Sequence, residues 1–146
     1  MFGGSQQALR PGTENNAAVM GFARAVETFD TDANWMHVRA LHKRLIDGLP
    51  TVCAINGRNN NPYITNIMLP GLMGQTVLNA LSAQNICVGL GSACASSSAY
   101  NRTLLAMGIP EAKTKQVLRI SFGIYNTIHE VDIFLQSLRK VLDNLL

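Results

Sequence analysis

Apolar residues along this chain alternate between two rhythms, one helical and one extended. Val19, Phe22, Val26 and Phe29 recur at helical spacing, as do Val38, Leu41, Leu45 and Leu49. This predicts two successive helices, the second stopped around Gly48 and Pro50, both packed on a common sheet. From Val52 to Asn56 and from Tyr63 to Leu69 the residues are β-branched and aromatic, with turn formers from Gly57 to Pro62 between them, so a hairpin-like pair of strands is expected. Gly74 to Gln84 reads as a short helix with Val77, Leu78 and Leu81 inward, followed by a buried strand, Ile86 to Leu90. A small-residue stretch then leads to a helical turn from Thr103 to Met107, ended by Gly108 and Pro110, and to a strand from Val117 to Phe122. The closing helix opens with a capping box, Thr127 and Glu130, and carries the stripe Val131, Phe134, Leu138, Val141 and Leu145. Strands interleaved with helices imply an α/β (α+β) fold, one small sheet covered by helices.

Composition narrows the partners. In 146 residues, 47% are hydrophobic and 14% charged, which suits a single domain whose surface is partly covered by further protein. The formal net charge is +3, with the basic residues scattered singly, so nucleic acid is not expected as a partner. No window approaches the ~18 apolar residues of a membrane span, and a soluble protein is expected. The three cysteines, Cys53, Cys87 and Cys94, are odd in number and lack CxxC spacing, which points to reduced thiols of the cytoplasm rather than to disulfides or zinc.

Three stretches could carry chemistry. Cys94 lies just past the predicted strand 86–90, within Gly91-Ser92-Ala93-Cys94-Ala95-Ser96-Ser97-Ser98-Ala99, whose side chains are too small to anchor the backbone; the alternative is a surface linker with an incidental thiol. Cys53 and Cys87, inside strands with apolar neighbours, read as core residues. Arg119 falls on the face of its strand opposite Leu118, Ile120 and Phe122, where a guanidinium fork can take a carboxylate, or simply meet solvent. The opening stretch, Gly3 to Asn15, combines glycines, Arg10 and Thr13 beside a helix start; it suits an anion such as phosphate, or an ordinary N-cap at Thr13 or Asn15. His37, His42 and His129 lie on predicted helices without convergent acids and read as surface residues.

In order, the chain shows Gly3-Gly4…Gln6…Arg10-Pro11-Gly12-Thr13-Glu14-Asn15, Asn66-Ile67 leading to Pro70-Gly71, Gly91-Ser92-Ala93-Cys94, Leu105-Ala106-Met107-Gly108, Leu118 to Gly123, and Asn126-Thr127…Glu130…Asp132. This series resembles the cysteine desulfurases of the NifS type, within the class V aminotransferase-like group of pyridoxal-phosphate enzymes, and the resemblance covers essentially the whole chain. It implies the C-terminal small domain of a fold-type I enzyme: residues 1–14 as an inter-domain segment with a phosphate-contacting motif, 15–146 as the small domain, and the large cofactor-binding domain absent. It further implies Cys94 as the thiol that takes sulfur from L-cysteine as a persulfide, releasing alanine. Arg119, gripping the carboxylate, and Asn66 would bind the substrate, and Thr13 would reach the cofactor phosphate of the other subunit of a homodimer. A sulfur-acceptor protein, in iron–sulfur cluster assembly or another sulfur-trafficking route, is the implied partner.

Ser5 stands where the family usually has glycine, Gln7 where it has glutamate, and Met73 and Gln75 where acidic residues are common. The Schiff-base lysine belongs to the large domain, and Lys43, Lys113, Lys115 and Lys140 lie outside any matching context. The chain alone is therefore expected to be inactive. Alternatives are a selenocysteine lyase or other class V enzyme, and a non-enzymatic persulfide carrier or interaction domain.

Overall fold

The computed structural model describes residues 14–58, 61–91 and 102–146. It divides the chain into two compact units, Met1–Asp32 and Ala33–Leu146. The first contains α1 (Asn16–Thr28), capped by Asn15, whose side chain accepts from the Ala18 N–H at 3.1 Å. Thr13, the other capping candidate, lies outside the described residues. Helix α1 buries none of its side chains: Val19, Phe22, Val26 and Phe29 are 54–73% exposed. Periodicity reports that a helix is amphipathic, not what covers its apolar side.

The second unit is built on a three-stranded antiparallel sheet in the order β1 (Ala54–Asn56), β2 (Ile64–Met68), β3 (Val117–Ser121). The expected hairpin-like pair is β1 and β2. Alternation along β2 and β3 sends Ile67, Leu118 and Ile120 to the inner face, where they are at most 6% exposed. They meet Leu41 and Leu45 of α2 (Thr31–Gly48), Val77 and Leu81 of α3 (Gly74–Ser82), and the stripe Val131, Phe134, Leu138 and Val141 of α5 (Ile128–Leu145). A short α4 (Arg102–Ala106) and a 3₁₀ turn (Glu111–Lys113) precede β3.

Helices α2 and α5 are fastened to each other at several points. Gly48 closes α2 against Leu135, where a Cβ would overlap the leucine side chain, and Arg139 Nη2 donates to the Gly48 carbonyl at 2.7 Å. Arg44 pairs with Asp132 at 2.6 Å, an exposed bridge that contributes at most ~1 kcal/mol. His37, exposed as expected, places Nε2 2.8 Å from the Asn126 carbonyl just before α5.

The capping box of α5 is present. Glu130 N–H donates to Thr127 Oγ1 and the Thr127 N–H donates to Glu130 Oε2 at 2.7 Å. The Thr127 backbone bond, then the Asn126 side chain, holds the Glu130 carboxyl below its ordinary value of 4.5. A depressed folded-state value stabilises the fold above the unfolded value and ceases to do so as pH falls through the folded one. Glu130→Gln is therefore expected to lower the midpoint of thermal unfolding at neutral pH, with the difference from the unsubstituted chain narrowing at acid pH, where that carboxyl is protonated. Parallel unfolding scans at the two pH values check this.

The predicted strand 86–90 is a single antiparallel bridge, Gly89 to Arg119, on the far side of β3. Asn85, at φ 60°, turns the chain out of α3 into this segment, a backbone conformation that asparagine tolerates better than most residues. Ile86, Val88 and Leu90 still pack against the core, so alternation survives without a full ladder.

Candidate functional site

The outer face of the sheet carries one polar row. Register pairs Asn56 with Asn66 and Asn66 with Arg119, and the bridge extends the row from Arg119 to Gly89. Directly paired residues project to the same face. Arg119 exchanges both its backbone bonds with Gly89, N–H to Gly89 O at 2.6 Å and C=O from Gly89 N–H at 2.9 Å. Arg119 and Asn66 are therefore a non-hydrogen-bonded pair, the kind whose Cα atoms approach to ~4.5 Å and whose side chains lie closest.

Arg119 is half-buried and its guanidinium folds back over the bridge. A Cβ on Gly89 would lie 3.0 Å from Nη2, 3.2 Å from Nε and 3.3 Å from Cζ, near-equal distances that put Gly89 over the face of the fork. Only glycine allows so close an approach without displacing the side chain. Nη1 donates to the Gly91 carbonyl. Nε is buried with no hydrogen-bond partner among the described residues. A buried N–H left unpaired costs ~1–3 kcal/mol, which an acceptor at that edge would recover. Nε and Nη2 form an edge on which a carboxylate can sit through two parallel bonds.

Asn66 is half-buried, and its Oδ1 accepts from Asn56 Nδ2 at 2.6 Å. The structure thus brings together Arg119 and Asn66, two of the four residues singled out in the sequence. Cys94 and Thr13 lie outside the described residues, although the described chain leads from the Arg119 bridge at Gly89 as far as Gly91, close in sequence to Cys94. Asn56 and Gly89 escaped sequence reasoning. Their only signal was register, which places them in the same row as Arg119 and which no local pattern reveals.

The other thiols separate. Cys53 is partly buried and packs against the core, as expected, and burial pushes its thiol up to about 11, so it is protonated and inert at neutral pH. Cys87 is exposed, which corrects its reading as a core residue. In the alternation of this segment Ile86 and Val88 turn inward, so the residue between them faces out with Gly89.

A pyridoxal-phosphate cofactor held through a Schiff base needs a lysine whose ammonium is destabilised by burial or by a neighbouring cation. Lys43, Lys113, Lys115 and Lys140 are all exposed, and Lys43 is paired with Asp47 at 2.5 Å. The lysines of this chain do not fit that role. Among the described residues no group of His, Cys, Asp and Glu could hold a metal ion, and no helix is long and apolar enough to cross a membrane.

The family described as Aminotransferase class-V matches residues 2–134. The chain is 32% identical over 147 residues to a protein described as "NifS/IcsS protein homolog" from Lactobacillus delbrueckii subsp. bulgaricus, covering 95% of this chain and 38% of that one. It is 30% identical over 152 residues to "Cysteine desulfurase IscS 1" of Archaeoglobus fulgidus, covering 98% and 39%. Among solved structures, a chain described as "NIFS-LIKE PROTEIN" superposes with a TM-score of 0.79 at 30% identity, covering 97% of this chain and 38% of that one. The NifS-like protein from Rickettsia africae ESF-5 gives 0.76 at 28% identity, covering 98% and 39%. The chain thus spans under two-fifths of the length of these relatives, and the antiparallel sheet with its helices is the same fold as the matching part of the NifS-like structures. With a family match running through nearly its whole length and the expected arginine set on the expected strand, this chain belongs to the class-V aminotransferase family.

Proposed function

We propose that this chain supplies one half of the active site of a cysteine desulfurase: the clamp for the substrate carboxylate and the thiol that accepts its sulfur. The observation that carries the reading is the Arg119 fork, whose buried Nε has no hydrogen-bond partner among the described residues, in a chain similar to proteins described as cysteine desulfurases. Arg119 holds the carboxylate of L-cysteine through Nε and Nη2, and this fixes where the substrate sulfur lies. The Cys94 thiolate attacks that sulfur; a sulfur–sulfur bond forms and the substrate carbon–sulfur bond breaks, its electron pair going to the substrate carbon, which pyridoxal phosphate would stabilise and which takes a proton to leave as alanine, with the persulfide on Cys94. Pyridoxal phosphate belongs to the complete enzyme and is held by protein other than the lysines of this chain. The same reading carries a homodimer in which Thr13 serves the other subunit's cofactor phosphate. It also carries a cytoplasmic location and an acceptor protein of iron–sulfur cluster assembly or another sulfur-trafficking route.

The test is made on an enzyme containing this chain together with its cofactor-binding part. Sulfur-labelled L-cysteine is expected to leave label on Cys94, removable by a thiol reductant, and Cys94→Ala is expected to abolish both the label and sulfide release. Sulfide release that persists in Cys94→Ala would point instead to a class V enzyme of the selenocysteine-lyase kind, which needs no acceptor thiol.

A further inference from the structure

We infer that the Arg119 guanidinium couples carboxylate binding to the position of residues 89–91, so that the group which grips the substrate also fastens the described chain nearest in sequence to Cys94. This rests on the reading of Arg119 as the carboxylate clamp and adds a linkage that neither the resemblance nor the family match contains.

The segment from Ile86 to Gly91 is tied to the sheet at a single bridge, Gly89 with Arg119, and no ladder continues past it. Ile86, Val88 and Leu90 pack on the core, but Gly89 and Gly91 have no side chain to add an anchor, and glycine backbones are the least restrained by their own sterics. Arg119 supplies the fastening. Its N–H donates to the Gly89 carbonyl at 2.6 Å, its own carbonyl accepts from the Gly89 N–H at 2.9 Å, and its Nη1 donates to the Gly91 carbonyl. Among the described residues Nη1 is the one donor to that carbonyl. A side chain here takes the place of the next rung of the ladder.

The guanidinium reaches Gly91 by lying across Gly89, with Nη2, Nε and Cζ all 3.0–3.3 Å from the place a Cβ would take. Gly89 is not among the glycines of positive φ, so its missing Cβ serves this passage rather than a turn. A guanidinium is flat and rigid, and its three nitrogens cannot be aimed independently. A carboxylate that takes Nε and Nη2 through two parallel bonds fixes the plane of the fork. Fixing that plane also fixes the direction from which Nη1 meets the Gly91 carbonyl. The linkage is reciprocal: a Gly91 carbonyl held in place orients the Nε and Nη2 edge beforehand and lowers the ordering cost of binding. Nε, buried and without a hydrogen-bond partner among the described residues, is the ligand end of this link, and the Gly91 carbonyl is the other. In the proposed enzyme the arrival of substrate at Arg119 is thereby felt at Gly91, three positions before Cys94.

The experiment follows the Arg119 Nε–H and Gly91 carbonyl-carbon resonances of the nitrogen-15- and carbon-13-labelled chain during titration with L-alanine, the carboxylate-bearing product. Both are expected to move along one binding curve. Arg119→Met, which keeps an apolar stem and removes the donors, is expected to speed hydrogen exchange of the Gly89 N–H about tenfold, the effect of one charge-assisted hydrogen bond. The Leu138 N–H in α5, which reports on opening of the whole unit, is expected to stay within about twofold. In the same variant L-alanine is expected to leave the Gly91 carbonyl unmoved. A purely structural contact would answer the substitution but not the ligand. Movement of Arg119 Nε–H without movement of the Gly91 carbonyl overturns the inference and leaves the clamp standing. Equal acceleration at Gly89 and Leu138 also overturns it, because the loss is then one of the whole fold. A silent Arg119 Nε–H in the unsubstituted chain removes the clamp, and the inference with it. Should Arg119→Met not fold, the titration of the unsubstituted chain decides.

Discussion

Arg119→Ala is expected to lower kcat/KM for L-cysteine by roughly 100- to 1,000-fold in an enzyme containing this chain, the equivalent of ~3–4 kcal/mol for two charge-assisted bonds to one carboxylate. The loss has a structural cause that goes beyond charge. Nη1 donates to the Gly91 carbonyl and anchors the fork, and in the proposed reading the carboxylate takes the Nε and Nη2 edge. Arg119→Lys keeps the cation and loses that edge, and is expected to recover no more than about a tenth of the activity. Gly89 shares the site's geometry: a Cβ there falls 3.0–3.3 Å from the guanidinium and would shift the fork off its bridge. Steady-state kinetics with L-cysteine check the Arg119 variants. A rise in KM accompanied by a fall in kcat is expected, since a carboxylate held loosely also leaves the sulfur misplaced for attack.

Gly74→Ala is expected to be the most damaging small substitution in the fold. Gly74 opens α3, where its N–H donates to the Lys115 carbonyl at 2.8 Å, and the strand backbone passes so close that a Cβ would overlap the Val117 carbonyl oxygen. The Leu90 side chain stands a further 3.1 Å from the same point. A flexible side chain could yield, but a carbonyl inside the sheet cannot without displacing β3. The cost is expected to be about 3 kcal/mol, lowering the thermal midpoint by roughly 10 °C, even though alanine is the better helix former. Gly48 presents the contrasting case, because the atom in its way is the end of the Leu135 side chain, which can turn aside. Thermal unfolding of Gly74→Ala and Gly48→Ala side by side separates the two situations, with the larger loss at Gly74.

Legibility in the sequence followed how local each feature was. The α5 stripe and its capping box could be read directly, since residues three and four apart on a helix meet whatever the rest of the chain does. Alternation on β3 correctly set Arg119 against Leu118 and Ile120. Phe22 and Val26 show the limit: their spacing specified a helix, but its apolar face stays exposed, because burial depends on a partner surface that periodicity does not contain. Cys87 shows another. Five apolar residues in a row read as a fully buried strand, yet the segment makes one bridge and turns its thiol outward. The polar row was half legible. Arg119 and Asn66 each stood in a recognisable motif, whereas Asn56 and Gly89 join them only through strand register, which is set by the whole sheet.

In the proposed enzyme this chain brings a carboxylate clamp and an acceptor thiol to an active site whose cofactor is bound elsewhere. The most direct measurement adds pyridoxal phosphate to the purified chain, reduces with borohydride and maps any adduct by mass spectrometry. Scattered, substoichiometric modification of the exposed lysines Lys43, Lys113, Lys115 and Lys140 is expected. A single adduct on one of them, at about one cofactor per chain, would contradict it and make this chain a cofactor-binding protein in its own right.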